Sequence, residues 1–365
     1  SFGRSVSLSS SGSIVAIGAS HNDGNGSSSG HSRIYKNING NWTQIGSDID
    51  GESAGDYSGN SISLSADGSF VAIGASHNDG NGSNSGHVRI YKNINNNWTQ
   101  VGSDIDGEAI SDESGHVNSL SLSSDGSIVA IGAIGNDGNG ADSGHVRIYK
   151  NVNNTWTKLG GDIDGEATGD YSGKSISLSA DGSIIAIGAS HNDGNGSNSG
   201  HVRIYRNINN TWTQIGSDID GEAAGDQSGY SVSLSSDGSL VAIGANYNDD
   251  NGNNSGHVRI YKNVNNTWTK LGEDIDGEAT DDYSGESVNI SADGTTVAIG
   301  ATGNDGNGNY SGHVRVYQID FDSITLTSST ISASELITLD SQFSGTVNAV
   351  SVTTLTGTTA EINTV

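Results

Sequence analysis

One motif returns six times along the chain, and that repeat limits the available folds more than any other feature. Aligned on the glycine of Phe2-Gly3, the copies begin at Gly3, Gly59, Gly115, Gly173, Gly229 and Gly285, in steps of 56, 56, 58, 56 and 56 residues. The two extra residues fall within Gly115-His116-Val117-Asn118-Ser119. In the second copy, Ser61-Ile62-Ser63-Leu64-Ser65 alternates polar and apolar residues, as a strand with two different faces does. Asp67-Gly68 then supplies a hairpin turn, because a two-residue turn between such strands needs φ above zero. Phe70-Val71-Ala72-Ile73-Gly74-Ala75 is a continuous apolar run that fits a strand buried on both faces. After a polar, glycine-rich loop, His87-Val88-Arg89-Ile90-Tyr91 and Asn97-Trp98-Thr99-Gln100-Val101 complete four strands, and no helical period interrupts them.

A four-stranded unit of this length cannot cover both of its faces alone, so neighbouring units must stack. Radial stacking protects sheet edges and gives a propeller, whereas a β-sandwich does not predict near-identical hairpin units in a row. The fold class expected is therefore all-β: a β-propeller of six four-stranded antiparallel blades, with seven blades as the alternative. The repeats lie near 1–56, 57–112, 113–170, 171–226, 227–282 and 283–327. Trp42, Trp98, Trp156, Trp212 and Trp268 mark five outer strands, and residues 319–327 are the candidate for the missing sixth. From about Asp320 the composition turns to Thr, Ser and Val, so residues 328–365 read as a short β-rich C-terminal appendage or the start of a further module.

Charge narrows the partners. Against 42 Asp and Glu stand only 15 Lys and Arg, a net charge of -27, so phosphate backbones and anionic membranes are repelled. Nucleic acid and direct membrane insertion are not expected, whereas divalent cations and a salty medium suit such a surface. With no cysteine there is neither a disulfide framework nor a thiolate zinc site. No 18-residue apolar run and no leader-like segment stand in the sequence, which reads as one module of a larger chain.

Ser228-Gly229-Tyr230-Ser231-Val232-Ser233-Leu234, then Val241-Ala242-Ile243-Gly244-Ala245, then Gly256-His257-Val258-Arg259-Ile260-Tyr261 resembles the FG-GAP repeat of integrin-α-type propellers. The resemblance spans residues 1 to about 318, although Phe2-Gly3 is the only literal Phe-Gly. It implies an extracellular or cell-surface interaction and adhesion module, often calcium-binding, that meets a protein or glycan ligand. In calcium-binding members of that family the metal loop is an acidic insertion between the first two strands. Here that hairpin is only Ser-Ala-Asp-Gly-Ser or a close variant, so Asp67, Asp125, Asp181, Asp237 and Asp293 read as turn residues.

The candidate calcium ligands sit instead in the loop from the fourth strand to the next blade. They are Asp48, Asp50, Glu52 and Asp56, repeated as Asp104, Asp106, Glu108 and Asp112, then Asp162, Asp164, Glu166 and Asp170. Asp218, Asp220, Glu222 and Asp226, and finally Asp274, Asp276, Glu278 and Asp282, complete the set. Oxygens at alternate positions around a glycine are how hard cations are wrapped, and the competing reading is a solvated acidic turn. The loop between the second and third strands offers a ligand rim of Asp23, Asn25, Asp79, Asn81, Asp137, Asn139, Asp193, Asn195, Asp249, Asn251, Asp305 and Asn307. Such oxygens suit an ion or, in a lectin-like alternative, a sugar, although the same residues also favour tight turns.

His31, His87, His145, His201, His257 and His313 occur once per blade and read as structural. The arginines two residues later are expected to pair with loop carboxylates. An enzyme should break repeat symmetry, since a catalytic constellation needs different residues at one point. The departures noted are His116 with its insertion, Ala141-Asp142, Tyr247 with Asp249-Asp250, and Asp281. They form no obvious acid, base and nucleophile set, so the expectation is a non-enzymatic module with no catalytic residue. A polysaccharide lyase or glycosidase is the remaining enzymatic alternative.

Overall fold

The computed structural model describes residues 2–319, 323–325, 330–334, 336–337, 346–348 and 354–356. It is an all-β, six-bladed propeller built from four-stranded antiparallel blades. In the second blade the strands are Ser61–Leu64, Phe70–Ala75, His87–Ile94 and Asn97–Gln100, hydrogen-bonded in that order. The apolar run is the second strand of every blade, and its Val, Ala and Ile side chains are almost wholly buried in blades 2 to 5. Asp67 accepts hydrogen bonds from Ser65 Oγ and the Ser69 amide, both at 2.8 Å, which fixes the hairpin turn.

One segment expected as loop is partly strand. After Gln100 the chain bulges through Gly102, Ser103 and Asp104, then Ile105–Asp106 returns to pair with Val88 and His87. The same two-residue strand recurs at Ile49–Asp50, Ile163–Asp164, Ile219–Asp220 and Ile275–Asp276. Its cause is the isoleucine, which is buried in all of these segments except at Ile275 and draws the acidic loop back onto the sheet edge.

The core lies between blades. Ala72, Val88, Ile90 and Ile105 of blade 2 pack on Leu120, Leu122, Val129 and Ile131 of blade 3, and similar clusters join other neighbours. Each fully buried Ile or Leu contributes about 1.5–3 kcal/mol, so these seams hold successive blades together, while Val6 and Leu8 of blade 1 and Val314 and Val316 of blade 6 stay exposed. Polar rungs fix their register. Ser7 Oγ accepts from Leu64 N, Ser63 Oγ from Leu122 N, Ser121 Oγ from Leu178 N and Ser177 Oγ from Leu234 N, all at 3.0 Å. At the outer rim each later tryptophan donates to the preceding blade, as Trp98 Nε1 does to Ile45 O at 2.9 Å and Trp212 Nε1 to Leu159 O at 2.7 Å.

The sixth blade shows three strands among the described residues, Ser284–Ile290, Thr296–Ala301 and His313–Gln318. The fourth strand expected from 319–327 is not formed by the described part of that segment. Ser323–Thr325 pairs in parallel with Thr346–Asn348, and Thr330–Ser332 pairs in parallel with Thr354–Thr356. This strand-bearing appendage matches the compositional change near Asp320; the rest of 320–327 lies outside the described residues.

Candidate functional site at the propeller axis

The first strand of each blade begins beside the axis, and the residue that opens it is different in every copy. After the repeated glycine stand Arg4, Asn60, His116, Lys174, Tyr230 and Glu286. Lys174 feels the charges of Arg4, Glu113 and Glu286, which come from blades 1, 3 and 6. His116 likewise feels Lys174, His77 and Arg4, and Tyr230 feels Glu286, Tyr247 and Arg4. The axis thus brings an amine, a guanidinium, an imidazole, a phenol and carboxylates within electrostatic reach of one another.

Direct contacts order this group. Lys174 Nζ lies 5.3 Å from the centre of the Tyr230 ring. His116 Nε2 is 3.7 Å from Glu113 Oε2, Asn60 Nδ2 donates to Ser76 Oγ at 3.0 Å, and the Thr302 hydroxyl donates to Glu286. Burial, then the charge of Arg4, lowers the Lys174 amine below its ordinary value against the pull of the two glutamates. Burial, then Lys174, pushes His116 down to about 3, so its imidazole is neutral across the physiological range. Tyr230 is raised by burial and then by Glu286, which keeps its hydroxyl protonated. A half-buried amine with a depressed pKa beside a protonated donor is an arrangement suited to general base chemistry.

A second asymmetric layer surrounds these residues. Tyr57, Glu113, Tyr171, Gln227 and Tyr283 all hold left-handed backbone, with φ of 53 to 55°. For bulky non-glycine residues that conformation costs about 1 kcal/mol or more each, and such strain collects at functional sites. The tyrosines meet rings from the second loop: Tyr57 and His77 at 4.8 Å, Tyr171 and His191 at 4.9 Å, and Tyr247 and Tyr283 at 5.5 Å between centres. His191 feels Lys174, so this aromatic girdle borders the axial group.

The sequence-chosen loop residues occupy a different place. Each acidic loop divides its carboxylates between two blade junctions instead of wrapping one centre. Glu52 reaches forward to the next blade's His87 and Asp104, whereas Asp48 and Asp50 turn to His31 of their own blade. The sets Glu108, His145, Asp162 and Glu166, His201, Asp218 repeat the junction, and Glu222, Asp250, His257 and Asp274 make its fullest version. These clusters could hold a metal ion. A cavity of about 470 Å³ opens at the first of these junctions, lined by Glu52, Asp56, Asn78, His87, Asp104 and Asp106. His31, His87, His145, His201 and His257, read as structural, are therefore cluster members, and burial followed by the adjacent arginine brings His87, His201 and His257 to about 4.

The remaining loop residues build the scaffold. Asp56, Asp112, Asp170, Asp226 and Asp282 are buried and accept the amides of Ser53, Ala109, Ala167, Ala223 and Ala279 at 2.9–3.0 Å. Asp106, Asp220 and Asp276 are raised by burial and by the neighbouring aspartate. The backbone carbonyls of Asp50, Asp106, Asp164, Asp220 and Asp276 accept the arginine of the following blade at 2.7–2.8 Å. Glu278 pairs with His313 and Arg315. On the rim, Asp23, Asp79, Asp137, Asp193, Asp249 and Asp305 each accept a backbone amide five residues on. Asn25, Asn81, Asn139, Asn195 and Asn251 donate to carbonyls of the acidic loop, and the Asn307 amide donates to Ser311 Oγ. Both loops thus share one face, with their polar groups bound to each other.

Comparison with known proteins fixes the repeat. The family model described as FG-GAP repeat matches residues 163–205 and 218–261. This chain is a propeller that carries FG-GAP repeats. No curated protein matches the sequence. Among solved structures, the FG-GAP propeller is similar to the Pseudomonas aeruginosa periplasmic gluconolactonase, at 17% identity over 87% of this chain and 81% of that one, with a TM-score of 0.56. It is similar to a candidate 6-phosphogluconolactonase from Bacteroides uniformis at 13% identity, covering 87% and 80% of the two chains with a TM-score of 0.58. Kuenenia stuttgartiensis hydrazine synthase matches at 13% identity, covering 87% and 76%, with a TM-score of 0.56. At these identities the likeness is one of fold.

The neighbours nevertheless overturn the expected non-enzymatic interaction and adhesion module, because the frame taken as its signature is shared with enzymes. The FG-GAP propeller also meets the sequence criterion for an enzyme, since its axial residues break the repeat. Sequence reading singled out His116 but passed over the other five axial positions. The available signal was that the residue after the repeated glycine never recurs.

Proposed function

We propose that the chain is a hydrolase acting on a neutral sugar lactone, with its active site at the propeller axis. The observation carrying this reading is the convergence of Arg4, His116, Lys174, Tyr230 and Glu286 at the one repeat position where every blade differs. Lactone chemistry comes from the two lactonase neighbours, and the aromatic girdle suits stacking against a sugar-derived ring. Net charge selects between the two substrates those names suggest. A chain at -27 repels a phosphorylated lactone, admits a neutral one and expels the anionic aldonate product.

In this mechanism the Lys174 amine takes a proton from water as its oxygen attacks the lactone carbonyl carbon. Tyr230 and Arg4 donate hydrogen bonds to the oxyanion. The ring C–O bond then breaks, and the Lys174 ammonium returns the proton to the departing alkoxide. Glu113 and Glu286 offset the charge formed on Lys174. Titrating released acid from a panel of neutral and phosphorylated aldonolactones, corrected for spontaneous opening, tests the reading. Turnover of a neutral lactone is expected, and rates equal to the buffer blank throughout would refute it.

For the three-residue junction clusters, calcium is the ion proposed, because their two carboxylates sit in partly exposed acidic loops whose other oxygens can complete an all-oxygen shell without the imidazole. Such sites should be weak, with Kd of about 0.1–1 mM. Millimolar calcium is expected to raise the melting temperature more than magnesium does, since magnesium demands tighter octahedral geometry. An equal shift with sodium chloride at matched ionic strength would reduce the effect to screening. An extracellular or surface location, where calcium is plentiful, is part of this proposal.

A further inference from the structure

One junction departs from the other four. Where the remaining copies carry Gly24, Gly80, Gly138, Gly194 or Gly306, blade 5 carries Asp250. At Gly80, Gly138 and Gly194 an added Cβ would lie 3.4–3.5 Å from Oδ1 of Asp106, Asp164 and Asp220, so a side chain there extends toward the acidic loop. Asp250 follows that path, and its Oδ2 stands 3.9 Å from His257 Nδ1. Glu222 Oε2, from the preceding blade, is also 3.9 Å from that nitrogen, and Asp274 completes a group whose ligand atoms all lie within 4.8 Å of one another.

Two observations mark this cluster beyond its acidity. His257 is 1% exposed, and its Nδ1, unlike that of the other repeat histidines, is a buried atom with no hydrogen-bond partner, although it faces two carboxylates. A buried polar atom left so is costly unless something absent from the protein chain completes it. The second observation is charge. Arg259 pairs with Glu222 at 3.4 Å and Lys270 with Asp274 at 2.5 Å, whereas among the described residues no Lys or Arg pairs with Asp250. The added carboxylate is the one without a counterion.

We infer that the junction of blades 4 and 5 is a transition-metal site, in which His257 Nδ1 and the carboxylates of Glu222, Asp250 and Asp274 hold one divalent ion of the zinc or manganese type. One imidazole with three carboxylates favours these metals over calcium, which takes oxygen ligands. Tetrahedral ligands around zinc stand about 3.4 Å apart, so modest side-chain rotations close the group from its present spacing. The site stands on its own geometry and does not depend on the lactonase reading.

The test is calorimetric titration of EDTA-treated, dialysed protein with zinc chloride and, separately, calcium chloride. Asp250→Gly restores the residue of the other repeats and should leave the fold intact, as circular dichroism would verify. Native protein is expected to bind one zinc ion per chain at least tenfold more tightly than Asp250→Gly, with calcium binding at the other junctions unchanged. His257→Gln should remove the tight zinc site and keep the calcium response. Equal zinc affinity and stoichiometry in native protein and Asp250→Gly, or unchanged tight binding in His257→Gln, would overturn the site.

Discussion

Replacing Lys174 with methionine should lower turnover of a neutral lactone by about 10²–10⁴-fold, the range for loss of a positioned general base. Methionine keeps the length of the half-buried stem without its amine, and the interblade seams that hold the fold do not use Lys174. The native rate should rise with pH through the Lys174 ionisation, because the free amine is the active form. That ionisation lies below the ordinary lysine value, since burial and Arg4 disfavour the ammonium. In Lys174→Met the rising limb should vanish, leaving only the slope of spontaneous opening. A variant that keeps the native rate and limb would show that the proton acceptor is another group.

The second large effect is structural. Gly221 begins the turn of the fourth acidic loop, and a Cβ there would sit only 1.9 Å from the Ser199 carbonyl oxygen. That contact is with backbone, so it cannot be relieved by rotating a side chain. Moving the loop would strain the Gly221 N to Gly200 O bond at 2.8 Å and the Asn195 amide bond to Gly221 O at 2.9 Å. Overpacking and two weakened hydrogen bonds together predict that Gly221→Ala loses about 3–5 kcal/mol in denaturant unfolding. Gly161→Ala is the matched control, since nothing lies within 4 Å of its added Cβ, and it should stay within about 0.5 kcal/mol. Similar losses in both would mean that the loops are loose turns with no fixed packing between them.

The blade itself was legible because its signals are local. Asp67-Gly68 made its hairpin, Phe70–Ala75 its buried strand and Asn97–Gln100 its outer strand, each readable within a few residues. The return of Ile105–Asp106 to the sheet edge was not, because a lone isoleucine among acids has no period to detect. The junction clusters escaped for a different reason. Glu52 is four residues from Asp48 in sequence but belongs with His87 and Asp104 across the seam, a partition that only stacking creates. The axial site was hidden by the repeat that revealed the fold. Arg4, Asn60, His116, Lys174, Tyr230 and Glu286 lie 56 or 58 residues apart, and a position that differs in every copy looks unconstrained until the blades turn it toward one point.

Making that position uniform separates catalysis at the axis from every other part of the propeller. Blade 2 already carries Asn60, so Arg4, His116, Lys174, Tyr230 and Glu286 can all be changed to Asn, leaving the seams and acidic loops untouched. Initial rates on a neutral aldonolactone are then measured for this variant, for the native protein and for a junction variant with Asp218 and Asp220 changed to Asn. The symmetrised axis is expected to fall to the spontaneous rate while the junction variant keeps the native one. Full turnover by the folded, symmetrised variant, or its loss in the junction variant alone, would contradict an axial active site.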